Sequence, residues 1–182
     1  MIKKGIKRKE IEGITSEKQN KGLTKQEIYN ELKEMYFDKN RLAIIIASTV
    51  NIHRKNKFKS LNLMLMILVS LAALIKVTVL FSLTNNLILV AFSITIALLI
   101  NFWFVYQIYR YRPFIYSYIG FLILFQEIRY LLEIEFISNW GVFEMIFYLF
   151  VAVFSIIVKE KLFPKFGLFR PEKDKKGNVI FD

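Results

Sequence analysis

The sequence predicts an all-α integral membrane protein, a four-helix bundle preceded by short cytoplasmic helices and followed by a short C-terminal tail. Three observations predict it. First, the chain is almost continuously apolar between Leu61 and Lys161, with breaks only at Thr84-Asn85-Asn86, Arg110-Tyr111-Arg112-Pro113 and Ser138-Asn139-Trp140-Gly141. Second, the segments between those breaks are of crossing length, because a helix rising ~1.5 Å per residue needs about 20 residues for ~30 Å of hydrocarbon. Third, 55% of the 182 residues are hydrophobic and the mean hydropathy is +0.40, too apolar for an ordinary soluble domain.

Residues 1–23 are polar, aperiodic and basic, with Gly5, Gly13 and Gly22, and read as a flexible tail. Residues 24–60 read as a cytoplasmic, juxtamembrane helical region. Thr24 followed three residues later by Glu27 is a capping box, which satisfies orphan backbone donors at a helix start. Ile28, Leu32, Met35 and Tyr36 then recur at helical spacing. Asp38 or Asn40 caps a second short helix carrying Leu42, Ile45 and Ile46. These helices are either a surface hairpin or a docking site for a cytoplasmic partner through residues 24–50. Arg54, Lys55, Lys57 and Lys59 then precede the first apolar segment, where each cation gains about 1 kcal/mol near an anionic leaflet. His53 is the single histidine and reads as a solvated junction residue.

The predicted spans are 61–83, 87–109, 114–136 and 141–161. In the third, the apolar run Phe114–Phe125 is followed by Gln126, Glu127, Arg129, Glu133 and Glu135, so a re-entrant or interfacial segment is the alternative. Loop charges orient the spans. The 83–87 turn is uncharged, the 110–112 turn carries Arg110 and Arg112, and 133–144 carries only acidic charges. Residues 1–60 hold 15 Lys/Arg against 7 Asp/Glu, and residues 159–182 hold 7 against 4. Under the positive-inside rule this places both termini in the cytoplasm. Trp103, Tyr106, Tyr109, Tyr111 and Tyr116 fall near the inner interface, and Phe136, Trp140 and Phe143 near the outer one. Residues 162–182 are the C-terminal tail, with a turn signal at Asp174–Gly177 whose flanking apolar residues allow a small hairpin or an extended tail.

Lipid supplies no hydrophobic force between helices, so small residues and buried polar contacts must hold a bundle together. Each span offers such a stripe: Ala72, Ala73 and Lys76; Ser93, Ala97 and Asn101; Ser117, Gly120, Leu124 and Glu127; and Glu144, Tyr148, Ala152, Ser155 and Lys159. A charge in hydrocarbon costs at least ~2.5 kcal/mol on insertion scales and therefore requires a partner or water. Lys76 and Glu127 sit at similar depth if their helices run the same way, which makes them the expected pair. Arg129, Glu133 and Glu144 join them in an outer-half charged cluster that either braces the helices or lines an ion or solute path.

The functional expectations follow from what is present and what is missing. The chain has no cysteine, and no phosphate-binding glycine loop, HExxH, paired histidines or assembled Ser/His/Asp set occurs. No metal, cofactor or enzymatic chemistry is therefore expected, no cleavable signal peptide either, and nucleic acid is disfavoured because the cations are not interleaved with stacking aromatics. The Lys-, Ile-, Asn- and Phe-rich composition has the flavour of a low-GC bacterial proteome, so the expected location is the bacterial cytoplasmic membrane. The leading expectation is a non-enzymatic, self-associating or complex-forming membrane subunit in contact with anionic lipid. The alternative is an oligomeric channel or membrane-permeabilising effector.

Overall fold

A computed structural model describes residues 5–83, 87–133 and 139–181, with the side chains at 78–83, 126–127, 129–133 and 139–140 outside the described set. The architecture is all-α. In chain order the helices are α1 (Arg8–Asn20), α2 (Lys25–Leu32), α3 (Lys39–Ser48), α4 (Ile52–Lys57), α5 (Lys59–Leu83), α6 (Leu87–Tyr109), α7 (Pro113–Glu133) and α8 (Asn139–Leu162). They divide between two compact units. A terminal unit comprises Met1–Lys59, Tyr111–Phe114 and Lys159–Asp182, and a long-helix unit comprises Ser60–Arg110 and Ile115–Val158.

In the terminal unit, local chemistry starts each helix. The Thr24 hydroxyl accepts from the Glu27 amide, while the Glu27 carboxylate accepts from the Thr24 amide at 2.8 Å, so the capping box forms as the spacing predicts. The Asp38 carboxylate accepts from the Arg41 amide at 2.8 Å and starts α3. Asn51 does the same for α4 through the amides of His53 and Arg54. Ile11, Ile28, Leu32, Tyr36, Leu42, Ile45 and Ile46 bury a shared core, against which Ile6, Ile14, Leu23, Tyr29 and Phe181 pack. The buried Lys25 ammonium donates to the Ala47 carbonyl at 3.2 Å, placing a cation at the carbonyl end of α3, where the helix dipole favours it.

Two parts of this unit differ from, or add to, the sequence expectation. Residues 1–23 are expected as a flexible tail, yet Arg8–Asn20 forms α1 and buries Ile11, Thr15 and Gln19. The stripe escapes a hydrophobicity count because only Ile11 in it is apolar. Thr15 enters the core by donating its hydroxyl to the Ile11 carbonyl at 2.7 Å. Glu12, one turn from Arg8, accepts from both Arg8 and Arg112. The tail beyond α8 is also ordered. Antiparallel backbone pairings join Phe166 to Pro171 and Lys173 to Val179. Between the latter two, the Asp174 carboxylate accepts from the amides of Lys176 and Asn178, and Gly177 takes a φ of +82°, which glycine adopts without a Cβ penalty.

Among the described residues, three helical stretches are long and apolar enough to cross a membrane: Lys59–Val77 of α5, Leu87–Tyr109 and Gly141–Leu162. Helix α7 begins with Pro113 at its first position, where the missing amide costs nothing. Among the described residues, its apolar stretch runs over Pro113–Phe125. Helix α6 buries only Val90 and Ile108 among its described residues, while Leu87 is 80% and Ile88 83% exposed. A contiguous apolar surface of that extent needs a non-aqueous cover, and for helices of this length lipid is the natural one.

Candidate functional site

The polar residues of the long-helix unit gather along one seam, and a repeat on α5 organises it. Asn62, Leu65, Val69 and Ala72 follow a three-four spacing that keeps them on one face, and all four are buried. Lys76 continues the series. The Asn62 amide donates to the Ile108 carbonyl of α6 at 3.2 Å, and its carbonyl oxygen accepts from the Tyr116 hydroxyl of α7 at 2.6 Å. One asparagine thus joins three helices. Further along, the Asn101 amide donates to the Val69 carbonyl at 2.9 Å. The pairs 62–108 and 69–101 make α5 and α6 antiparallel neighbours in a constant register.

The other helix pairs repeat that logic. Ser155 donates to the Tyr116 carbonyl at 3.0 Å and to the Ala152 carbonyl at 2.8 Å. Gly120 brings α7 against α8 so closely that a Cβ there would stand 3.3 Å from the Ser155 hydroxyl and from Ile156. Tyr148 donates to the Ala72 carbonyl at 2.9 Å, and one turn further Lys76 Nζ lies 3.2 Å from a Glu144 oxygen. The same ammonium sits 4.6 Å from the Tyr148 ring centroid, a cation–π distance. The pairs 72–148 and 76–144 make α5 and α8 antiparallel as well. A carboxylate and a ring face thus flank the Lys76 ammonium, the kind of compensation that a charge among apolar helices requires.

Beside this pair lies a cavity of about 220 Å3, walled chiefly by Val69, Ala73, Ala97, Ile119, Leu122 and Val151, with Lys76, Asn101 and Tyr148 as its polar edge. Each of those three polar groups already has a protein partner at the distances above. Apart from that edge the lining is apolar.

The expected site residues fall as follows. Ala97 and Asn101 face the seam, and Ser93 is half-buried. Ser117 is buried, with no hydrogen-bond partner for its hydroxyl among the described residues. Gly120, Ala152 and Ser155 form the α7–α8 contact. Lys76 meets Glu144, whereas the side chains of Glu127, Arg129 and Glu133 lie outside the described residues, as do those of Phe136 and Trp140. Of the cations expected at lipid, Lys55, Lys57, Lys59 and Arg110 are exposed. Lys55 also lies 5.3 Å from the Tyr111 ring centroid and Lys57 5.6 Å from that of Phe58. Arg54 donates to the Lys161 carbonyl at 3.2 Å, and Arg112 is drawn onto Glu12. His53 is exposed.

Sequence reasoning overlooked Asn62 altogether, although its three-four spacing to Leu65, Val69, Ala72 and Lys76 was a usable signal. It also assigned Tyr116 to the interfacial belt, whereas the residue is fully buried between Asn62 and the Ile108 carbonyl. Interfacial aromatics and buried hydrogen-bonded tyrosines share a composition and differ only in their neighbours. Comparison of the chain with protein-family models, with curated proteins and with solved structures found no match.

Proposed function

We propose that the protein is a non-enzymatic, multi-pass subunit of the bacterial cytoplasmic membrane, with four crossings and both termini cytoplasmic. It associates through its terminal unit with a protein partner or with a second copy of itself. The observation that carries this is the surface of residues 24–50. Phe37, in the turn between α2 and α3, is 71% exposed, and Met35 and Ile44 are each 41% exposed. A phenylalanine presented on a turn outside the core, beside the Lys39–Glu34 ion pair, has the character of an interface anchor rather than of packing. The antiparallel registers of α5 with α6 and of α5 with α8 support alternating crossings. The exposed Lys55, Lys57, Lys59 and Arg110 support contact with anionic headgroups.

The channel reading has one feature in its favour, the cavity beside Lys76 and Asn101. Against it stand the apolar walls and the neutralised Lys76–Glu144 pair, neither of which suits a water path.

The deciding experiment is the mass of the detergent-solubilised particle by light scattering, with any second protein identified. We expect a multiple of the 21.6 kDa chain, or the chain with a stoichiometric partner, and expect Phe37→Asp to return it to one chain. A wild-type particle of single-chain mass without a second protein overturns the proposal. Membrane depolarisation on expression, abolished by Glu144→Gln, would establish the channel instead.

A further inference from the structure

Beyond α8 the chain builds a small closed loop. The last turn of the helix runs on through the Phe163 amide, which donates to the Lys159 carbonyl at 2.7 Å. Phe163, Phe166 and Pro171 are buried, and Phe166 pairs with Pro171 while the Glu172 amide donates to the Lys165 carbonyl at 3.0 Å. The neck is tight enough that a Cβ on Gly167 would stand 3.2 Å from the Arg170 carbonyl. At the tip, Leu168 is 50% and Phe169 52% exposed, with Lys165 and Arg170 exposed on either side.

We propose that this loop, Phe166–Pro171, is a membrane-interface anchor. It sets Leu168 into the headgroup–acyl boundary of an anionic leaflet while Lys165 and Arg170 meet lipid phosphates. Three features select a bilayer as the occupant. Leu168 is six residues past Leu162, the end of a helix apolar enough to cross, and an extended chain spans at most about 3.5 Å per residue. The tip therefore lies within ~21 Å of that helix end. The stretch 161–171 carries Lys161, Lys165 and Arg170 and no acidic residue, which complements an anionic surface. Finally, an apolar tip bracketed by cations on a buried neck is the arrangement that an interfacial segment requires, with apolar side chains shallowly inserted and basic groups at headgroup level.

The anchor rests on α8 lying in lipid, so the test separates the two. The chain has no cysteine, so single-cysteine variants of the full-length protein take a polarity-sensitive fluorophore at one defined position. Leu168→Cys, Lys175→Cys in the hairpin turn and Ile157→Cys on an exposed face of α8 are compared in nanodiscs of phosphatidylcholine with or without phosphatidylglycerol. Quenching by lipid-borne nitroxide is set against quenching by aqueous iodide. The expected result is dominant lipid quenching at 157 and 168, dominant iodide quenching at 175, and a several-fold loss of lipid quenching at 168 in Lys165→Gln/Arg170→Gln. Lipid quenching at 157 with iodide quenching at 168 overturns the anchor alone. Protection of 168 from both quenchers indicates a protein contact and also overturns it. Iodide quenching at 157 removes the membrane placement and the anchor with it.

Discussion

Lys76 has a carboxylate 3.2 Å away on a neighbouring helix, and the worth of that contact depends on the medium. Removing one partner leaves a charge uncompensated among apolar helices, at about 3 kcal/mol. Lys76→Met or Glu144→Gln alone should therefore lower the unfolding midpoint in detergent, and the double variant should recover most of the loss. A double variant as unstable as the sum of the singles would refute the coupling, and the same cycle run with Glu127→Gln measures whether that carboxylate shares the charge. Gly120 is a second sensitive position. A leucine side chain there meets Ser155 and Ile156, so Gly120→Leu should destabilise by about 1–3 kcal/mol, whereas Ser93→Leu on half-buried α6 surface should be nearly neutral. Depth along the helices, which spacing encodes, admitted both Glu127 and Glu144 beside Lys76. The lateral arrangement that brings Glu144 to it is not written in the spacing of any one helix.

Among the elements, α2 and α3 were legible because their capping residues are local signals, and Thr24, Glu27 and Asp38 cap as expected. Helix α1 was not, since its buried face carries Thr15 and Gln19 beside Ile11, and the Arg112 partner of its Glu12 lies a hundred residues away. Burial pushes the Glu12 carboxyl up, but hydrogen bonds from Arg8 and Arg112 and their positive charge outweigh it and hold it below its ordinary value of 4.5. A carboxyl lowered by folding adds stability above its unfolded value, and that contribution fades as pH falls through the folded one. Hydrogen-exchange protection of the Ile11 and Thr15 amides should thus be level from pH 7 to about 5 and decline below the ordinary value. Glu12→Gln should flatten the acid decline and lower the plateau. Equal acid sensitivity in the wild type and Glu12→Gln would show that another group controls the docking of α1.

For the whole molecule, apolar length predicts which segments become long helices, and charge asymmetry carries the proposal that both termini are cytoplasmic. Cysteine mapping tests the latter directly. In intact cells an impermeant maleimide should label Asn85→Cys but not Lys9→Cys, Arg110→Cys or Lys175→Cys, all of which should react after lysis. Labelling at 9 or 175 in intact cells would invert the orientation. The terminal unit escaped sequence reasoning because it is assembled from three separated stretches, a non-local association that no window of periodicity detects. That discontinuity has a consequence for biosynthesis. Phe181 packs on Tyr29 with ring centroids 5.4 Å apart, so the core that α1–α3 begin is closed by a residue translated long after them. At about 5–20 residues per second, the ribosome needs on the order of 8–30 seconds to travel from one ring to the other. Throughout that interval the long helices are being made while the early helices wait with an open apolar flank, within reach of chaperones and proteases. The core thus closes only in a nascent chain whose hydrophobic middle has already been synthesised, which ties survival of the N-terminal helices to synthesis of the segment that carries Phe181.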